Sequence, residues 1–234
     1  MKIFEARLLG QQACELVDAG RIADAYALLA STLAERTPFR LLDVIGEQTG
    51  AGLLETVNPF LEYVALQGTM GGWVVIASAL KGQLERDLPG AFARSQKYII
   101  LADVWYATDI LGERVPGPAL VTDFDHALAA LSPWRVDGNR WARRTVGVAV
   151  HFWAKRSRGD AGLSMQARRL LSFLEPMFEE RATDAIKGVG WGLKTLGKYY
   201  PELVSAWLEK QIARPHRALM ERKARTYLGK HGPN

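Results

Sequence analysis

Apolar residues recur at helical spacing along the whole chain, and no segment sustains the period-two alternation of β-branched residues that a half-buried strand requires. Short breaker clusters divide the pattern: Asp18-Ala19-Gly20, Thr37-Pro38, Asn58-Pro59, Gly71-Gly72, Leu88-Pro89, Pro116-Gly117-Pro118, Ser132-Pro133, Glu175-Pro176, Tyr200-Pro201 and Arg214-Pro215. The intervals predict about a dozen helices of roughly 10–18 residues joined by turns of a few residues. Thr37-Pro38 and Tyr200-Pro201 place proline at a first helical position, where its missing N–H costs nothing. One helix is predicted to begin near Ile99 and run through Trp105 and Asp109. A long one opens at Asn139-Arg140 and continues through Val148, Phe152 and Trp153, and another runs from Asp184 through Lys198.

Consecutive helices pair into units of about 35–45 residues without an obvious sequence repeat, a pattern that fits degenerate HEAT-like repeats better than a bundle. Such a unit cannot bury its apolar face alone. Stacking buries a continuous core and curves the row into a solenoid with a concave face. The expected fold is therefore all-α, with HEAT-like repeats in a curved solenoid whose concave face is basic; a globular helical bundle is the alternative. The Gly112 to Pro118 stretch is the expected hinge. No linker is long enough to separate domains, so a single domain over residues 1–234 is expected.

At 234 residues and 48% apolar content the chain can bury a sizeable core without a disulfide. Its one cysteine, Cys14, allows no internal disulfide and no cysteine-rich zinc site, and is read as a small packed hydrophobe. The four histidines, at 126, 151, 216 and 231, lack metal-site spacing, so neither metal nor cofactor is expected. No apolar run approaches the roughly 18 residues of a membrane span, and Glu5, Arg7 and Glu15 interrupt any secretory pattern, so a cytoplasmic protein away from membranes is expected.

Charge changes the picture further. The net charge of +5 hides opposite halves: residues 1–138 hold 11 Lys+Arg against 17 Asp+Glu, and residues 139–234 hold 19 against 8. A basic half of this kind suits a partner with repeating phosphates, although solvated helix faces give the same count.

Three segments carry candidate chemistry. In Trp105-Tyr106-Ala107-Thr108-Asp109, Trp105 and Asp109 are four residues apart and share a helical face. Asp109 is read in the last turn before Gly112, where the helix dipole disfavours an anion; a core Trp105 beside a solvated Asp109 is the plainer reading. In Asn139-Arg140-Trp141-Ala142-Arg143-Arg144-Thr145, three arginines stand at a helix start, where an external phosphate would offset the dipole, unless they form a solvated face. In Asp184-Ala185-Ile186-Lys187-Gly188-Val189-Gly190-Trp191, Lys187, Trp191, Lys194 and Lys198 form a basic stripe with one aromatic in it. Gly188 and Gly190 cost up to about 1 kcal/mol each inside a helix unless something approaches the backbone closely; close helix–helix packing around a core tryptophan is the alternative. His151, one or two turns beyond Arg144, is read as a satisfied structural histidine before a DNA contact.

Trp105-x-x-x-Asp109, Trp141-x-x-Arg144 at a helix start, and Lys187-x-x-Gly190-Trp191, in this order, resemble the AlkD-like DNA alkylation repair family of HEAT-like repeat DNA glycosylases. Thr37-Pro38-Phe39-Arg40 adds a turn similar to one the family often carries. The resemblance covers roughly residues 20–230. It departs at Gly71-Gly72-Trp73-Val74-Val75, where the family usually has a more polar, Glu-containing helix.

The resemblance implies that Asp109, Trp105 and Trp191 line the cleft beside the lesion's deoxyribose and that Arg144, with Lys187, contacts phosphates. Arg143, Lys194 and Lys198 are further DNA-binding candidates. It implies a monofunctional glycosylase that releases cationic N3- or N7-alkylated purines from double-stranded DNA, without base flipping and with tolerance of bulky adducts, acting as a monomer. The alternatives are a non-catalytic HEAT-like protein that binds branched or distorted DNA, and a helical scaffold for a protein partner.

Overall fold

The helices start where the sequence supplies acceptors for their unpaired first-turn amides. In the computed structural model, which describes residues 1–228, α1 (Ile3–Asp18) opens with the Lys2 N–H donating to Glu5 Oε2 at 2.6 Å. Thr69 Oγ1 accepts from the Gly72 amide ahead of α5 (Met70–Gln83), and Asp87 accepts from the Gly90 amide ahead of α6 (Leu88–Ala102). Asn139 Oδ1 accepts from the Trp141 amide at 2.8 Å at the head of α10 (Arg140–Ser157). Fourteen α-helices and four short 3-10 turns account for about four-fifths of the described residues, and no strand occurs among them. The protein is all-α, as its periodicity predicts.

The helices gather into two compact units, one of residues 1–115 and one beginning at Pro116. The boundary falls inside the Gly112 to Pro118 stretch. In the first unit α1, α3 (Phe39–Thr49), α5 and α7 (Trp105–Arg114) pack in succession as one layer, with α2 (Ile22–Ala34), α4 (Leu54–Leu66) and α6 behind them. The second unit repeats the arrangement: α8 (Pro116–Thr122), α10, α12 (Thr183–Tyr199) and α14 (Ala218–Ala224) form one layer, and α9 (Phe124–Leu131), α11 (Ser164–Leu174) and α13 (Pro201–Gln211) stand behind. Alternate helices packing in register is the architecture of a helical repeat.

Helix α5 is the centre of the first unit. Residues 71–80 are all buried, and a helix apolar all round must be covered all round. Gly71 lets it approach α2, because a Cβ there would lie 2.9 Å from the Leu33 Cα. The apolar Gly71-to-Val75 run that departs from the family pattern is thus the buried start of a core helix.

Three boundaries differ from the sequence reading. Pro59 lies inside α4 rather than between helices, Pro38 caps α3 rather than opening it, and the helix expected from Ile99 through Asp109 is two helices. The last break falls at Asp103, in the left-handed region at φ 44°, with neither glycine nor proline to signal it. Asp and Asn tolerate that conformation better than other side chains do. No helix among the described residues is long and apolar enough to cross a membrane.

Candidate nucleic-acid interface and catalytic residues

The break at Asp103 decides how Trp105 is presented. It makes Trp105 the first residue of α7; the residue is 57% exposed, and its indole packs edge-on against Tyr106 with ring centroids 5.9 Å apart. Asp109, one turn on, is half-buried on the same side of α7. It stands in the middle of a helix that runs on to Arg114, so its expected place in the final turn is corrected, and the dipole penalty inferred there does not arise. The opposite face of α7 buries Ala107, Thr108, Ile110 and Leu111. Arg114 ties the helix to α3: its Nε donates to Asp43 Oδ1 at 2.7 Å, while Ser78 Oγ of α5 donates to the same oxygen at 2.6 Å. This part-buried network fixes the helix that carries Trp105 and Asp109.

In the second unit, α10 and α12 cross with their backbones in contact. A Cβ on Gly147 would fall on the Gly188 carbonyl, one on Gly188 would fall on the Arg144 carbonyl, and one on Gly192 would lie 2.7 Å from the Gly147 oxygen. The glycine at 188 is therefore explained by helix–helix packing. Gly147, its counterpart on α10, has no local motif that singles it out.

That crossing sets the environment of the arginines. Arg144 is only 7% exposed, and its Nη1 donates to the Asp184 carbonyl at 3.1 Å. Arg143 Nε donates to Glu180 Oε2 at 2.6 Å; this arginine holds the Glu180 carboxylate below its ordinary range against the opposing effect of burial. Arg140 lies over the Trp141 ring at 4.8 Å and 3.5 Å from Asp184 Oδ2. Internal acceptors thus engage all three arginines at the helix start.

Trp191 is half-buried on α12 and stacks on the His151 ring of α10, with centroids 3.8 Å apart and planes 24° apart. His151 is 8% exposed, with Nδ1 2.7 Å from Thr195 Oγ1, and is a structural support for the tryptophan. Burial, then the charges of Lys155 and Lys194, push its pKa down to about 4 from an ordinary 6.5. The folded protein thus holds a neutral imidazole where the unfolded chain would take up a proton. This contribution to stability is complete above about pH 6.5 and is lost as pH falls to about 4, an effect of up to about 3 kcal/mol. Urea unfolding at pH 7 and pH 4.5 should show that loss, and His151→Gln should flatten the dependence; an unchanged slope in the variant would assign the acid sensitivity elsewhere.

Of the predicted basic stripe, Lys187 and Lys198 are exposed and Lys194 is half-buried. Lys187 lies 3.8 Å from Asp184, Lys194 Nζ sits 5.2 Å over the Tyr227 ring, and Lys198 lies over Tyr199 and Tyr227. The structure thus brings Trp105 and Asp109 together on α7, and Arg144, Trp191, Lys187 and Lys194 together around the α10–α12 crossing.

Elsewhere, a cavity of about 630 Å³ opens beside the Thr37 turn, and one of about 480 Å³ lies between α11 and α13. Neither is lined by Asp109, Trp105 or Trp191. Cys14 is half-buried, and burial with the nearby Asp18 pushes its thiol up, away from reactivity. No group of three or more His, Cys, Asp or Glu side chains that could hold a metal occurs among the described residues; His231 lies outside them.

The fold and these clusters describe an all-helical repeat protein with a cation-rich second unit. The family model for the DNA alkylation repair enzyme matches residues 74–228, and the chain belongs to that family, whose role is the repair of alkylated DNA. The match spans α7, α10 and α12. No curated protein and no solved structure matches the chain significantly.

Proposed function

We propose that the protein is a DNA glycosylase that hydrolyses the bond between deoxyribose and a cationic N3- or N7-alkylated purine in duplex DNA. Family membership supplies the context of alkylated DNA. The observation that carries the finer reading is the α7 pair, an exposed indole one turn from a half-buried carboxylate. An alkylated purine already bears positive charge and leaves as a neutral base when the C1′–N bond electrons pass to it, so little acid catalysis is required. The sugar becomes oxocarbenium-like. Asp109 stabilises that developing cation and orients the water that attacks C1′, as carboxylates do in glycoside hydrolysis. Trp105 and Trp191 supply indole faces that favour cationic character and exclude solvent. Arg144, Arg143, Lys187, Lys194 and Lys198 are the proposed DNA-binding set.

No covalent enzyme intermediate is required, so the proposed enzyme is monofunctional, without lyase activity. Contact through sugar and phosphate, with no base flipped into a pocket, would admit bulky adducts beside methyl groups. The protein acts in this reading as a cytoplasmic monomer with HEAT-like repeats. The test is release of free base from duplexes carrying N7-methylguanine, N3-methyladenine or a bulky N3-adenine adduct. Release from any of them supports the reading and identifies the lesion. Salt-sensitive DNA binding with no release from any would replace it with non-catalytic recognition of branched or distorted DNA.

A further inference from the structure

Lys223 lies on α14, beyond the reach of any helical-stripe argument made from α12, yet its side chain is laid directly across that helix. A Cβ on Gly190 would come 2.6 Å from Lys223 Cδ, 2.8 Å from its Cβ and 3.3 Å from its Cγ, so the aliphatic stem rests on the bare glycine. Gly190 immediately precedes Trp191. Its absent side chain is the seat of a lysine from the next helix in the layer.

The charged groups that bear most on the Lys223 ammonium are cations. Burial comes first, then Lys194, Arg144, Lys187 and Arg222 in that order, and together they hold it below the usual lysine range. Lys223 has no ion pair among the described residues. Around it, Asp184 lies 3.8 Å from Lys187, and the Asp184 carbonyl accepts from Arg144. Lys194 is held over the ring of Tyr227, just past the end of α14. A fold that packs a half-buried ammonium among like charges stores repulsion that an external anion would relieve.

We propose that Lys223, seated on Gly190, forms with Lys194, Lys187 and Arg144 a built phosphate-binding site, and that its ligand is a backbone phosphate of the DNA bound beside Trp191. This rests on the DNA-repair reading above and extends it to a residue and a helix which that reading does not include. Gly190 acts as a positioning residue: it contributes no charge but fixes where the charge of Lys223 stands.

The experiment is the affinity for an undamaged, fluorescently labelled duplex of about 20 base pairs, measured over a range of KCl concentrations. Lys223→Gln should weaken binding roughly 3- to 10-fold at low salt and reduce the slope of log K against log salt by about 1, the loss of one phosphate contact. Lys223→Arg should restore the slope, and Gly190→Ala should reproduce the Lys223→Gln defect with its charge intact. Lys210→Gln, which removes an exposed cation from α13, should leave the slope unchanged. Thermal unfolding of each variant separates a binding defect from a folding one; should Lys223→Gln fail to fold, Gly190→Ala and Lys223→Arg carry the comparison. An unaltered slope in Lys223→Gln or in folded Gly190→Ala, with the wild type still binding, would overturn the site while leaving the proposed activity standing. A wild type that releases no base yet loses one unit of slope on Lys223→Gln would do the reverse.

Discussion

Asp109→Asn is expected to lower the rate of base release by 10²- to 10³-fold or more while changing the affinity for lesion-containing duplex by less than about 2-fold. Asn matches Asp in size and preserves the backbone of α7, so the substitution removes the carboxylate's charge without changing its shape. In the ground state the purine carries the positive charge; in the transition state the sugar acquires it. A carboxylate placed for the sugar therefore contributes mainly as the bond breaks, and losing it appears in the rate rather than in binding. The corresponding loss is about 3–4 kcal/mol of transition-state stabilisation. Single-turnover release and equilibrium binding, measured on the same N7-methylguanine duplex, separate the two quantities. Equal rates for variant and wild type would remove Asp109 from the chemistry. A parallel fall in affinity and rate would make it a binding residue.

The largest stability effect is expected at Gly147. The α10–α12 crossing is made of Gly147, Gly188 and Gly192, and a methyl group at 147 falls on the main chain of Gly188 and Val189. Backbone on both sides leaves no flexible side chain to move aside, so the helices must separate. Gly147→Ala should cost about 3 kcal/mol, the upper part of the usual range for overpacking, and lower Tm by roughly 10 °C for a chain of this length. Gly82→Ala is the matching control. Gly82 lies near the end of α5 with nothing within 4 Å of an added Cβ, and alanine there should gain up to about 1 kcal/mol from helix propensity. Loss at both positions would show a general intolerance of change, and no loss at 147 would contradict the tight crossing. Because the same crossing seats Arg144 beside Gly188, folded Gly147→Ala protein should also bind duplex DNA less well.

What the sequence determined by itself was local. Apolar spacing and the Leu88-Pro89, Asn139 and Tyr200-Pro201 signals set the helices and many of their ends, and helical geometry placed Trp105 and Asp109 on one face and Lys187, Trp191, Lys194 and Lys198 on another. The resemblance to alkylation repair enzymes was also legible, because short motifs within single helices carry it. Only the tertiary structure decided the rest. The turn at Asp103 lies in an apolar stretch without a breaker; α6 ends there, and α7, packed on α5 and α6, begins with Trp105 exposed. The arginines of α10 look, from sequence, like cations in want of an anion. Glu180 and the Asp184 carbonyl, some 40 residues on, already engage two of them. Gly188 and Gly190 are two residues apart and invite one explanation, yet they face α10 and Lys223 of α14. Periodicity and capping depend on neighbours within a turn or two. Which helix lies across a glycine, which carboxylate meets an arginine and which ring supports Trp191 depend on contacts between distant parts of the chain, and no local pattern records them.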